Sequence, residues 1–397
     1  MFFLIAFSIY AGAHLYIGSR IIPVAKLPVI WKSIAWVGLG LHTLLVPAMF
    51  FLRSGGYWPP WLEYYYFAVF TGAGFMAILF PLLLARDAAW LLTRIARSAA
   101  AKAVGGKPLR TDPARRRFML NALNTVFVGA ASGVAGVGVS NVRRPPAVVH
   151  VTAPVPGLPE QFDGFTIAQI TDVHLSPTVR GDYLSLVVDI VNGLDADIVA
   201  VTGDMVDGYV NELAGDVESL SRLKAREGAF FVTGNHEYYW NGPAWVDKMR
   251  GLGLTALVNQ SVAVERGGAT ALIAGLPDHM AGKDIPGHAP DPRKIIKEAP
   301  AHGFKIMLAH QPRSAIYSAE AGFDIMICGH THGGQFFPWN YIIPLFHPVP
   351  TGLSVYRGMT VYASPGTAYW GPPMRAGTRS EITLITLARA GGGRRAT

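Results

Sequence analysis

The chain has 397 residues, of which 51% are hydrophobic and only 15% charged, a balance that excludes a disordered chain or a coiled coil. Its formal net charge of +8 is unevenly placed: residues 1–150 hold 15 Lys or Arg against 3 Asp or Glu, and residues 151–397 hold 19 against 23. A basic excess confined to one end is a poor footprint for nucleic acid, so no such partner is expected. The one cysteine, Cys328, excludes an intramolecular disulfide framework and a thiolate metal cluster.

Four runs without Asp, Glu, Lys or Arg occupy residues 1–17, 33–52, 64–85 and 118–142. A membrane-spanning helix needs about 20 mostly apolar residues, so residues 1–142 are expected to form a transmembrane region of four helices. The first run has no basic stretch before it, which a removable signal peptide would require. Basic residues cluster between the third and fourth runs, from Arg86 to Arg117, and oppose only Asp87 and Asp112. Positive loops stay cytoplasmic, which places the N-terminus and everything beyond Asn141 outside the cytoplasm. Tyr57, Trp58, Trp61 and Tyr64–Tyr66 gather around the second loop as interfacial aromatics do. Arg115-Arg116-Arg117-Phe118-Met119-Leu120 resembles a twin-arginine export signal, making that export machinery an expected partner, although an ordinary cytoplasmic flank explains the same residues.

Residues 143–164, rich in Pro, Val and Gly, read as a linker or a first edge strand, and 391–397 as a disordered tail. Between them, residues 165–390 form a soluble domain. Its short apolar runs repeatedly stop at polar clusters: 165–170 before Asp172 and His174, 197–201 before Asp204 and Asp207, 229–232 before Asn235 and His236. The same holds for 304–308 before His310 and 324–327 before His330 and His332. Short continuous apolar runs are buried strands, and ligand sites gather at the carboxyl ends of parallel strands. Stretches 181–193 and 212–226 are long enough for helices between them. Further strands are expected at 270–274, 360–363 and 381–387, giving an α/β assembly of mixed sheets covered by helices.

Asp172, His174, Asp204, Asp207, Asn235, His236, His310, His330 and His332 place five of the twelve histidines at strand ends, interleaved with carboxylates and one carboxamide. Burying such groups unpaired is costly, and mixed His and carboxylate donors suit Mn, Fe or Zn better than Mg or Ca. If the backbone stays extended, residues at i and i+2 in Asp172-Val173-His174 and in His330-Thr331-His332 face one cavity. The residues alone therefore point to a metal-dependent hydrolase with two metals.

The ordered series Asp-x-His, Gly-Asp-x-x-Asp, Gly-Asn-His-Glu, a separate His and Gly-His-x-His resembles the calcineurin-like metallophosphoesterase superfamily over residues 165–387. Gly329-His330-Thr331-His332-Gly333-Gly334-Gln335 resembles its membrane-anchored or exported bacterial branch. That resemblance implies a four-layer α/β/β/α sandwich of two mixed sheets and a place in a bacterial inner membrane with the catalytic domain outside. It also implies two divalent metals, manganese the first choice. Asp172, His174 and His332 would hold the first, Asn235, His310 and His330 the second, and Asp204 would bridge them. His236 would lie beside the attacked phosphoryl group as a catalytic residue, and Asp207 would order the site rather than bind metal. Two such metals clamp an in-line displacement at phosphorus and lower the pKa of a bridging water, so the expected activity is that of a phosphodiesterase.

The apolar, proline-containing stretch after His332 reads either as core cover or as a lip at the membrane surface. Phe336, Phe337, Trp339, Tyr341 and Phe346 are its candidate contacts with lipid. Membrane lipids and a small-molecule or lipid-linked phosphoester are accordingly the expected partners. The alternatives are a phosphomonoesterase and a cytoplasmic-side nucleotide-lipid pyrophosphatase resembling UDP-diacylglucosamine hydrolases. A transporter or a non-enzymatic binding protein is disfavoured, because the four apolar runs carry no charged residue of the kind that lines a translocation path.

Overall fold

The computed structural model describes residues 2–390 except 55–58, 107–111, 284 and 286. Two compact units are present, one built on residues 1–140 and the other on 141–371 and the chain from 375 onward. Tyr57, Trp58, Lys107, Arg110 and the tail 391–397 lie outside the described residues.

The first unit consists of four helices, α1 (Phe2–Ile21), α2 (Val29–Ser54), α3 (Trp61–Ala103) and α4 (Pro113–Val142). Three segments among the described residues are long and apolar enough to cross a membrane: Val29–Met49, Trp61–Ala103 and Pro113–Val142. The four expected spans thus become four helices, of which three meet that criterion. The 43 residues of α3 measure ~64 Å at 1.5 Å per residue, about twice the ~30 Å hydrocarbon core. Much of the basic stretch expected as a loop is therefore the continuation of α3, with Arg86, Arg94, Arg97 and Lys102 on the helix itself. Asp87 of α3 accepts from Tyr16 of α1 at 2.9 Å and pairs with Arg20 at 2.6 Å. Asn124 of α4 donates to the Arg20 carbonyl at 3.0 Å, so one polar knot ties three helices together. Arg115–Arg117 lie exposed near the start of α4.

The second unit holds two six-stranded sheets. The first runs β1 (Ala147–Val155), β12 (Glu381–Arg389), β2 (Thr166–Ile170), β3 (Ile198–Val201), β4 (Ala229–Phe231) and β5 (Thr255–Ala256). The second runs β10 (Gly352–Tyr356), β11 (Met359–Ala363), β9 (Ile325–Cys328), β8 (Phe304–Leu308), β7 (Ala269–Gly275) and β6 (Gln260–Arg266). Strands β2, β3, β4 and β5 are mutually parallel, as are β7, β8, β9 and β11, whereas β12, β6 and β10 each make an antiparallel pairing. This is the expected α/β sandwich of two mixed sheets. The segment 143–164 contains β1, an edge strand parallel to β12.

Side chains alternate across each strand. Ile306 and Leu308 of β8 pack into the core with Ile167, Ile198 and Ile385 of the first sheet, while Met307 faces a second core with Ile295, Ala315 and Phe323. Helix α5 (Gly181–Asn192) buries Leu184, Val187, Val188 and Val191, its i, i+3, i+4, i+7 stripe. The helix expected over 212–226 is not continuous. A single turn at Val210–Leu213 is followed by a 3-10 segment at Glu218–Arg222, with Gly215 between them, a residue that weakens helix interiors.

Asp197, just before β3, fixes that strand against β2. It accepts from the Thr166 backbone N–H at 2.8 Å and the Thr166 hydroxyl at 3.0 Å, and it pairs with Arg226 at 3.0 Å and Arg266 at 3.2 Å. Burial would raise its pKa, but the Thr166 bonds and the two guanidinium groups hold it below the usual value. A depressed carboxylate contributes stability that is present above its unfolded pKa, about 3.9, and is lost as pH falls through the folded value. Asp197→Asn is expected to lower the melting temperature at pH 7 and to reduce its decline between about pH 4 and pH 2. Melting curves across that range test this, and an unchanged acid limb would refute it.

Candidate metal centre

The parallel topology delivers the polar residues to one edge of the two sheets. Asp172 and His174 follow β2, Asp204 and Asp207 follow β3, Asn235 and His236 open a short helix after β4 (Asn235–Tyr239), His310 follows β8, and His330 and His332 follow β9. All are buried except His330, which is partly exposed.

The chain at these strand ends is not extended as expected. Asp172, His174, Asp204, His330 and His332 have φ of 54°, 50°, 52°, 77° and 51°, in the left-handed region that costs non-glycine residues free energy. Backbone bonds from Asp172 to the Gly203 carbonyl and from His174 to the Asp204 carbonyl, both 3.0 Å, hold these turns. Gly203 itself has φ 86°, and a Cβ there would lie 2.7 Å from the Gly234 Cα. Glycine is what lets the ends of β3 and β4 approach so closely.

Among the described residues three groups of donors result: Asp172, His174 and His332; Asp204, His310 and His330; and His174, Asp207 and His236, which shares His174 with the first. In the first, His174 Nε2 and His332 Nε2 face each other at 3.1 Å, with Asp172 Oδ1 3.6 Å from His332 Nε2. In the second, His310 Nε2 lies 3.2 Å from His330 Nδ1 and 3.0 Å from Asp204 Oδ2. Asp204 Oδ2 also lies 3.8 Å from His174 Nε2, so this carboxylate reaches both of these groups. His310 Nδ1 donates to the Thr202 carbonyl at 2.9 Å, which turns its Nε2 toward Asp204 and His330.

These residues fit a pair of divalent ions. Asn235 Oδ1 is buried without a hydrogen-bond partner, an arrangement that is costly unless a cation takes it. Burial, with His310 alongside, lowers the His330 pKa to about 3, and burial, His174 and Arg375 push His332 well down. Neutral imidazole is the ligating form. Burial would raise Asp204, yet the surrounding histidines, His310 foremost, hold it well below the usual carboxylate range.

Asp207 stands behind the donors. Its Oδ1 lies 3.2 Å from His174 Nδ1 and makes a short hydrogen bond to His236 Nδ1, so one carboxylate orients both rings. Burial would lower the His236 pKa, but Asp204 and Asp207 raise it to about 9.

Five residues outside the expected ligand set complete the site. Glu237, fully buried, accepts from the N–H groups of Gly234, Asp204 and Met205 at 2.6, 2.9 and 2.7 Å, clamping two ligand loops. Its place directly after Asn235-His236 was the available signal. Arg375, also fully buried, donates to the Ala368 and Pro365 carbonyls at 2.7 Å each and reaches His332 Nδ1 at 3.0 Å. Gln335 exchanges two hydrogen bonds with the Trp370 backbone, at 2.7 and 3.0 Å. The Trp370 ring, half exposed, stands 5.5 Å from His236, and the half-exposed Tyr239 stands 5.0 Å from it. Nothing in the sequence around Arg375 or Trp370 marks them.

Of the apolar stretch after His332, Phe336 turns into the interior. Trp339, Tyr341, Leu345 and Phe346 are exposed by 43, 70, 79 and 69%, and Phe337 is partly covered.

A fold with paired His and carboxylate groups at the ends of parallel strands defines a metal-dependent hydrolase domain. Residues 165–334 match the family model of the calcineurin-like phosphoesterases. The chain is 38% identical over 265 residues to a "Transmembrane protein with metallophosphoesterase domain" of Danio rerio, and 37% identical over 286 residues to the protein of that name in Bos taurus. It is 31% identical over 277 residues to an "Uncharacterized metallophosphoesterase" of Helicobacter pylori strain J99, the match covering 69% of this chain and 73% of that one. The chain belongs to the calcineurin-like phosphoesterase family. The vertebrate matches cover 65 and 69% of this chain and 61 and 64% of those relatives. These matches, and one of 32% in Caenorhabditis elegans, overturn the expected bacterial branch and the bacterial inner-membrane location.

Asp207 accepts the Nδ1–H of His174 at 3.2 Å, and loss of a ligand's supporting partner typically weakens metal affinity 10–100-fold. Asp207→Ala is expected to weaken metal binding at the donor group Asp172, His174 and His332 by about that factor, measured by titrating Mn2+ into chelator-stripped protein. Unchanged affinity in a folded variant would refute the role.

Proposed function

We propose that this protein is a membrane-anchored phosphodiesterase that hydrolyses a lipid or lipid-linked phosphoester with two divalent metals, manganese preferred. The observation that carries this reading is the placement of His236 beside the donor groups: its ring is held by Asp207, its backbone N–H donates to Asp204 Oδ1 at 2.8 Å, and Trp370 and Tyr239 flank it.

Asp172, His174 and His332 would hold one metal, Asn235, His310 and His330 the other, and Asp204 would serve both. Two such ions supply a reactive water at neutral pH and offset negative charge on the phosphoryl oxygens. The chain's own part is orientation and proton delivery. Asp207 keeps His236 protonated and fixed in direction, so the imidazolium donates a proton to the departing ester oxygen. Trp370 and Tyr239 wall the approach to it. Trp339, Tyr341, Leu345 and Phe346 present an apolar and aromatic surface of the kind that enters the lipid interface, which favours a substrate carried in a membrane.

His236→Ala is expected to lower kcat by about 10²–10⁴-fold, the usual share of a positioned acid, with metal content retained. Loss of metal in that variant would make His236 structural instead. Because the imidazolium is the active form, turnover should fall on the alkaline side as His236 loses its proton, and His236→Asn should lack this limb. The lipid assignment is tested by replacing Trp339 and Phe346 with Ser and comparing hydrolysis of a soluble chromogenic diester with that of phospholipid in vesicles. Selective loss on vesicles supports it, and equal effects on both substrates would overturn it.

A further inference from the structure

The N-terminal helices contain a second convergence of metal-binding atoms that shares no residue with the phosphoesterase site. His14 of α1 is 2% exposed, and its Nδ1 lies 2.9 Å from the Tyr10 carbonyl oxygen one turn earlier. His42 of α2 places its Nε2 3.0 Å from the Val69 carbonyl oxygen of α3. A carbonyl can only accept, so these two ring nitrogens carry the hydrogens. In the neutral rings the remaining nitrogens, His14 Nε2 and His42 Nδ1, are bare, yet they face each other at 2.9 Å. The Tyr10 hydroxyl oxygen adds a third donor, 3.2 Å from His42 Nδ1.

The arrangement repeats what the phosphoesterase ligands show. His310 also has one nitrogen on a carbonyl and the other aimed at a second imidazole, at 3.2 Å. Metal-binding histidines usually rest their second nitrogen on a carbonyl or carboxylate, which fixes the tautomer and the direction of the ring. The His42 ring is further fixed by Gly72 of α3, where any Cβ would overlap it. The rings lie nearly parallel, 24° apart with centroids separated by 5.2 Å. Facing lone pairs repel unless a cation lies between them. A shared proton would engage only the two nitrogens, whereas a metal ion also uses the Tyr10 oxygen. Imidazole nitrogen suits zinc and copper, and an ionisable cluster inside apolar helices is by default a functional site.

We propose that Tyr10, His14 and His42 bind one transition-metal ion of the copper or zinc class within the N-terminal helical bundle. The test uses the full chain in detergent micelles, stripped with a chelator and reloaded separately with Zn2+ and with Cu+ kept reduced by ascorbate. Metal per chain is then counted by mass spectrometry. Wild type should hold one equivalent more than either His14→Gln or His42→Gln, for at least one of the two ions. Glutamine retains a donor for the carbonyl, and helical circular dichroism checks that each variant folds. Tyr10→Phe should weaken that extra ion about tenfold, while turnover on a soluble diester stays within about twofold in all three variants. Equal stoichiometry of wild type and both folded glutamine variants, for both ions, would overturn the proposal and leave a shared proton as the occupant. Saturation of wild type at no more metal than the phosphoesterase ligands hold would overturn it without recourse to any variant.

Discussion

The phosphoesterase unit is organised around one buried carboxylate. Asp204 Oδ2 lies 3.0 Å from His310 and 3.8 Å from His174, and so joins two donor groups, each of which draws residues from both sheets. Its other oxygen takes the His236 N–H, and its own N–H is held by Glu237. A carboxylate this deeply enclosed is expensive to keep charged unless cations and donors surround it. Much of the local structure supplies them: histidines from three strand ends, a left-handed turn at Asp204, and glycines at 203 and 234 that let two loops close around it.

That demand explains features that look unfavourable in isolation. Five of the residues in the donor groups occupy left-handed backbone conformations, each of which costs of order 1–3 kcal/mol. Arg375 is buried without a carboxylate among its hydrogen-bond partners, and burial lowers its pKa to about 10. These costs are borne by the two cores on either side of the second sheet, which hold the strands rigid and deliver their ends to one place. The result is a site whose rings are fixed in direction by Asp207, Glu237, Arg375 and the Thr202 carbonyl.

Much of this was legible in the sequence because short apolar runs ending in His, Asp or Asn announce both a strand and its functional end. The central strands β2, β3, β4, β8 and β9 are of this kind. Strands β5, β6 and β10 were missed: the first has two residues, and the other two are half-exposed edges whose apolar residues alternate with polar ones. The left-handed turns were also invisible, because Asp-x-His describes spacing and not φ. Trp370 and Arg375 enter through tertiary bonds to Gln335 and His332, about 35 and 43 positions away in the chain, and no local pattern encodes such partners. Among the N-terminal helices the charge-free runs located four helices, three of them long and apolar enough to cross a membrane, but not the length of α3, which continues through residues that are basic yet good helix formers.

The account's central claim is that Asp204 unites two metal sites into one centre. Counting bound Mn2+ per chain in wild type and in Asp204→Ala tests it most directly. The account predicts two ions in wild type and fewer than one in the variant, with the fold intact by near-ultraviolet circular dichroism. Retention of both ions, or of one with undiminished affinity, would contradict it.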